Sequence, residues 1–437
     1  MMTEAEALET LAREDPAVAS DAKAALRWLT SGGGLEAISQ LRLQEFLWHV
    51  LPSSWPLTTA GQLSVARALG RLLSLAGLDR YADVCTGELT SRVIASYGES
   101  LAAGLTAYEG AVDASRIVPP DTDLLAWGST RGPEEQAAYE ACAAAIELAI
   151  TASDIKVGTS GWKTKRASMV DRWLMTPSAQ HSRSSTDTLL GKISAERIDE
   201  WACGHPGDRA RMARRVVPRL LEPPVLPAEP LPTLRWLLQH ADAGLPLTAR
   251  HYIAPSLVAE AAEMFWGELA STRCQELSVF PLHTLRSLAQ REMGALRRTG
   301  LSLVLTRTGR LMADDPGVRW HIGTSALIGP DDGPDPDFTV AVREAALLVI
   351  TLAGSSVSRG ELLERLTRLH STEGWTSRSG RSVIDAIRYE LTDLTQRLQA
   401  LQLLDPDSAP SDIALTSTGI AAALSALLAR ALRPRHC

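Results

Sequence analysis

A five-residue pattern, Leu-Thr-x-x-Gly, occurs three times in the chain, at residues 57–61, 305–309 and 415–419. The last two share a setting. A leucine-rich run with helical spacing comes first, then a short apolar stretch suited to a strand. Thr then opens a new helix that carries Gly in its first turn. A Thr hydroxyl at that place accepts a hydrogen bond from a backbone N–H that has no partner inside the helix. Each of these two copies therefore demands helix, strand and capped helix in that order. The copy at 57–61 follows Pro56 with no strand leading into it, and is expected to be only a capped helix start.

The chain has 437 residues, too many for one ordinary core, so several domains are expected. Alanine and leucine dominate and aromatics are 5%, which predicts a mainly α protein. The net charge of −7 argues against a protein that coats nucleic acid over its whole surface. Its distribution is uneven. Residues 156–219 carry 13 basic and 6 acidic side chains, a basic stretch within an acidic chain, which is either a nucleic-acid contact or a solvated face. Within it Lys163, Lys165, Arg166 and Arg172 alternate with Trp162 and Trp173, pairing charge for phosphates with flat rings for stacking. Further on, Arg209, Arg211, Arg214, Arg215 and Arg219 fall on one expected helix. A spacing of four sets Arg211 beside Arg215 and Arg215 beside Arg219, an arrangement tolerated best where an anion neutralises it.

No residue set identifies a reaction. The chain lacks a His-Glu-x-x-His motif, a P-loop, a Gly-x-Ser-x-Gly elbow and a dinucleotide fingerprint, so a non-enzymatic protein without cofactors is expected. The nine histidines are scattered singly, and Cys203 and His205 have no second ligand pair at zinc spacing, so no metal site is expected either. The five cysteines are widely spaced, which fits reduced thiols. The opening residues are acidic and resemble no signal peptide, and no apolar run reaches the ~20 residues of a membrane span. A cytoplasmic location without membrane association follows as an expectation.

Four regions are expected. Residues 1–150 form an N-terminal helical domain in which Trp48, Trp55 and Trp127 anchor the core. Residues 151–232 hold the basic segment and a connector rich in proline (Pro218, Pro223, Pro224, Pro227, Pro230 and Pro232). Residues 233–328 form a third region, with helices over 233–241, 254–269 and 283–298, a strand at 301–305 and a helix capped by Thr306. Gly329 to Asp337, dense in Gly, Pro and Asp, separates it from residues 338–437. That last region repeats the plan with helices over 338–353, 359–370 and 377–402. Ser358 caps the second with Glu361 three residues on, 413–415 is a strand, and Thr416 caps the final helix to 432.

Residues 338–432 resemble a winged helix-turn-helix domain of bacterial transcription regulators, with 398–404 (LQALQLL) followed by 413–419 (IALTSTG) matching the end of the third helix, the wing and the last helix. Residues 233–313 resemble a second copy with a shorter wing. Residues 40–130 are similar to uncharacterised actinobacterial proteins that open on Phe-Leu-Trp, Leu-Pro and Trp, here Phe46-Leu47-Trp48, Leu51-Pro52 and Trp55. The winged-helix resemblance implies a DNA-binding regulator or accessory factor with duplex DNA as partner. In such domains the third helix enters the major groove. It would place Arg378 and Arg381 at base edges, with Ser379 and Ser382, and Arg388 near phosphates. Arg286, Arg291, Arg297 and Arg298 would act likewise in the first copy; outside the resemblance, the charge-and-ring pattern makes Lys163, Lys165 and Arg166 candidate nucleic-acid contacts as well.

Three features pull the other way. Asp385, Glu390 and Asp393 share the long helix, and the wing tip Asp405-Pro406-Asp407 is acidic. Ile384, Ile387, Leu391, Leu394, Leu398 and Leu401 form a heptad seam that is either the domain's own core stripe or a contact with a second copy or a protein partner. A protein-interaction or scaffold role is the alternative.

Overall fold

In the computed structural model, the residues described are 2–30, 34–35, 38–115, 119–128, 130–151, 153–176, 188–222, 225–267, 275–329, 335–376 and 382–434. They are mainly helical with five short strands. The chain divides into two compact units, residues 1–193 with 434–437, and residues 194–433.

The first unit is helical throughout its described elements. It runs α1 (Glu4–Glu14), α2 (Pro16–Thr30), α3 (Gln40–Glu45), a wide π-turn at Phe46–Val50 and α4 (Leu51–Ser54). There follow α5 (Thr59–Leu75), α6 (Asp79–Thr86), α7 (Glu88–Glu99), α8 (Leu101–Ser115), α9 (Pro133–Thr151) and α10 (Trp162–Met175). Thr58 caps α5, accepting from the Gly61 N–H at 3.3 Å. One core gathers Leu11, Leu29, Phe46, Trp48 and Leu69, and Trp48 Nε1 donates to Thr90 Oγ1 at 2.8 Å. Of the expected anchors Trp48 is buried, while Trp55 and Trp127 are half-buried. The expected basic segment is divided between the two units. Lys163, Lys165 and Arg166 lie on α10 in this unit, whereas the later arginines belong to the second.

The division between units falls within α11 (Leu189–Gly204). The second unit continues with α12 (Gly207–Leu221), α13 (Pro232–Asp242), β1 (Leu245–Pro246), α14 (Pro255–Phe265) and α15 (Phe280–Ser287). The last runs on as a π-turn over Leu288–Glu292. Then come β2 (Leu296–Thr299), β3 (Ser302–Leu305), α16 (Arg307–Asp314) and α17 (Pro316–Ser325). The second series is α18 (Pro336–Ala353), β4 (Val357–Ser358), α19 (Arg359–Thr372), α20 (Val383–Ala400), β5 (Asp412–Ile413) and α21 (Ser417–Ala431). The proline-rich stretch does not separate units. α12 and α13 flank it, and their residues Val216, Leu220, Leu234 and Leu237 share one core.

The same plan appears twice: helix, strand, helix, helix, two antiparallel strand segments and a capped helix. In the first repeat β1 and β2 both pair with β3, Leu245 opposite Leu303 and Leu296 opposite Leu305. In the second, Val357 of β4 lies opposite Ile413, and Leu404 bridges Leu415. Two boundaries differ from expectation. The third helix of the first repeat stops at Glu292, because Gly294 turns the chain through a positive φ of 57° into β2. Arg297 and Arg298 therefore stand on a strand. α14 starts at Pro255, as expected, but stops at Phe265, short of the expected 269. α18 is buried at every residue from Phe338 to Thr351, mostly apolar with Arg343 and Glu344 among them, and forms the centre of the unit.

Candidate nucleic-acid interface

The Leu-Thr-x-x-Gly copies at 305 and 415 hold the base of each two-strand segment. The Thr306 N–H donates to the Ala295 carbonyl at 2.9 Å, and the Thr416 N–H donates to the Leu403 carbonyl at 3.0 Å. Each Thr hydroxyl accepts from its glycine, the Gly309 N–H at 3.1 Å and the Gly419 N–H at 2.9 Å. The glycines are required by closeness. A Cβ on Gly309 would lie 2.1 Å from the Ala295 oxygen, and one on Gly419 would lie 2.1 Å from the Leu403 oxygen. At Gly61 the nearest atom would be Leu57 Cβ, at 3.4 Å. The copy at 57 is thus a capped helix start, as its setting suggests.

The third helices, α15 and α20, pack against each other. Arg397 of α20 closes the joint: its guanidinium meets Glu292 at 2.6 Å, pairs with Asp393 and donates to the Ala326 carbonyl at 2.7 Å. Glu292 is mostly buried, and desolvation raises its carboxyl pKa against the opposing pull of Arg397. Asp393 also meets Arg343 at 3.0 Å, and Arg343 reaches Glu390 at the same distance. Asp385, by contrast, pairs with Arg388 at 2.6 Å on the exposed side. So two of the three acids that seemed to oppose DNA belong to an internal ion network.

This packing corrects the seam as a partner interface. Ile387, Leu391, Leu394, Leu398 and Leu401 are buried within the chain's own core, and Ile384 alone of the six is exposed. Apolar spacing cannot distinguish a helix that meets a second chain from one that meets its own neighbours. The packing also leaves the first repeat's third helix little free surface. Arg286 is mostly buried and meets Glu276, itself fully buried, at 2.8 Å, so it is committed internally.

Arg378, Arg381 and Ser379 lie outside the described residues. Ser382 caps α20, accepting from the Asp385 N–H at 3.2 Å. On α10, Lys163 and Lys165 are exposed, while Arg166 meets Asp121 at 3.4 Å and covers the Trp162 ring at 5.4 Å. Arg291, Arg297 and Arg298 are exposed and pair with no acidic side chain among the described residues.

Two further arginines went unrecognised in the sequence. Arg307 and Arg310 are exposed on α16, which the Thr306 grip ties to the start of β2. Residues 291–310 then hold five arginines against one acid, Glu292, which Arg397 occupies. The corresponding stretch of the second repeat, 399–419, holds three aspartates and no basic residue. A count of charge across each strand–turn–strand segment would have exposed that contrast.

No group of three or more His, Cys, Asp and Glu side chains suited to a metal occurs among the described residues, and no described helix is long and apolar enough to cross a membrane. Cys85 and Cys142 are buried thiols whose pKa values burial pushes up to about 12 and about 11, which opposes thiolate chemistry at neutral pH. No protein-family model, curated protein or solved structure matches this chain.

Proposed function

We propose that residues 233–313 and 338–432 form tandem winged-helix domains, and that the protein is a DNA-binding regulator or accessory factor that grips duplex DNA through the hairpin of its first repeat. The observation that carries the reading is the exposed set Arg291, Arg297, Arg298, Arg307 and Arg310 on and beside the β2–β3 hairpin, the place of a wing. Guanidinium groups on a hairpin can straddle phosphates without reading bases, so this contact orients the protein and is indifferent to sequence. Because α15 is committed to α20, the first repeat uses its wing and not an inserted helix.

Titration of a labelled random-sequence duplex at increasing salt tests this. Binding should weaken steeply with salt, and Arg297→Ala with Arg298→Ala should lower the logarithmic slope by about 0.9 for each phosphate that is no longer neutralised. Absence of any binding at low salt would sink the reading.

A second reading rests on the other repeat. α20 exposes Ile384 and Tyr389, the latter 60% accessible, and the segment that follows the helix carries Asp405 and Asp407. Apolar and acidic surface suits a protein partner better than phosphate. On this reading the second repeat acts as an interaction module. Light scattering of the chain and of Tyr389→Glu tests self-association: a dimer that dissociates in the variant supports it, and a monomer in both leaves only a different protein as partner.

A further inference from the structure

α12 and α19 both pack against α18, and between them lies an open trough of 820 Å³. Its apolar lining comes from all three helices, through Met212, Val349, Leu352 and Leu369. Arginines stand on both banks, Arg211 and Arg215 on α12, Arg365 and Arg368 on α19. Arg211, Arg365 and Arg368 each touch a carboxylate one turn away on their own helix, Asp208, Glu361 and Glu364. All three pairs are solvent-exposed, and such pairs hold weakly and yield to a better anion. Arg215 is exposed with no acidic partner among the described residues. One further acid in the lining, Glu373, is already taken: Arg209 grips it in bidentate fashion at 3.0 and 2.6 Å, and Trp375 Nε1 donates to it at 2.9 Å.

We infer that this trough docks an acidic amphipathic helix from a partner protein. Apolar lining between two basic banks is the complement of a helix with an apolar stripe flanked by carboxylates, the helix-in-groove mode of recognition. Duplex DNA or free phosphate would use the arginines and leave the accessible apolar lining, Met212, Leu352 and Ala353, without a counterpart. The site is independent of the DNA contact proposed for residues 291–310.

The test uses the full-length chain and a fluorescein-labelled helical peptide of roughly 18 residues, about 27 Å long, with a leucine stripe flanked by glutamates. Its glutamine analogue, a random-sequence duplex and inorganic phosphate serve as comparisons. The glutamate peptide should bind saturably, with a Kd on the order of 10 μM. Exchange of its glutamates for glutamine, or Arg215→Glu with Arg368→Glu in the protein, should weaken binding at least about tenfold. Arg297→Ala with Arg298→Ala should leave peptide binding unchanged, which separates this site from the DNA contact. Circular dichroism of the Arg215 and Arg368 variant checks that it stays folded, as substitution of exposed residues predicts. Absence of saturable binding overturns the inference, as does equal affinity for the glutamine peptide. Displacement of the peptide by the duplex or by phosphate, sensitive to Arg215 and Arg368, would assign the trough to a phosphate ligand instead.

Discussion

The two repeats of the second unit share one plan and differ in how they use it. Each anchors its last helix with the same threonine and the same crowded glycine, and each carries its third helix into a common joint around Arg397. On this shared frame the charges diverge. The first hairpin carries exposed arginines and follows a third helix with little free surface. The second carries aspartates and follows a third helix that still shows Ile384 and Tyr389 to solvent. The frame comes from backbone hydrogen bonds and close approach, which tolerate little change. The surfaces come from exposed side chains, which can diverge at small cost. Duplicated architecture thus says little about duplicated function.

The comparison breaks most sharply at the joint. Arg397→Met should destabilise the unit by about 3–5 kcal/mol in denaturant unfolding, because Glu292 and Asp393 lose the partner that offsets their burial. An effect below about 1 kcal/mol would mean that the third helices do not depend on one another. Next come the glycines. Gly309→Ala and Gly419→Ala should each cost about 3 kcal/mol, since the new methyl collides with a carbonyl oxygen that secondary structure holds in place. Gly61→Ala should be neutral or stabilise by about 0.5 kcal/mol through helix propensity. Thermal unfolding of the three variants tests this, and equal shifts would refute the shared grip.

A pH effect should fall on the second repeat. His370 of α19 is buried, and desolvation lowers its pKa to about 4, helped by nearby Arg209. Its Nδ1 hydrogen bonds the Leu366 carbonyl at 2.9 Å, which sets the neutral tautomer with Nε2 free to accept from Arg209. The unfolded chain binds a proton near pH 6.5 that the folded chain refuses until about pH 4. This contribution is fully present above 6.5 and is lost on acidification across that window, amounting to about 3 kcal/mol. His370→Gln should flatten the stability profile between those values. The smallest effect separates the two hairpin segments: if the proposed DNA contact holds, Asp405→Lys with Asp407→Lys should raise the salt slope of duplex binding by about 0.9 for each phosphate newly neutralised. No change would mean that the second segment takes no part in the proposed DNA contact.

The helical class, the Thr caps and the ends of α18, α19 and α21 were legible, because periodicity and capping are local. Arg297 and Arg298 were placed on a helix, since leucine spacing ran on past Glu292 and only the positive φ of Gly294 ended it. The seam on α20 was legible as apolar but not as internal. Arg286 looked available until the fold set buried Glu276 beside it. The trough between α12 and α19 was at most half legible: the spacing of Arg211 and Arg215 called for an anion, but the second bank lies some 150 residues away in the chain and only folding brings it alongside α12.

What the Leu-Thr-x-x-Gly pattern determined by itself was local: a capped helix at each of its three sites, since a hydroxyl and a neighbouring N–H need nothing beyond one turn of chain. Why two of those glycines are irreplaceable was decided by the tertiary structure. Only there does a carbonyl from the end of another helix come within reach of the missing side chain. The same holds for function. A list of arginines is set by the sequence, but which of them are already neutralised depends on what folding brings beside them.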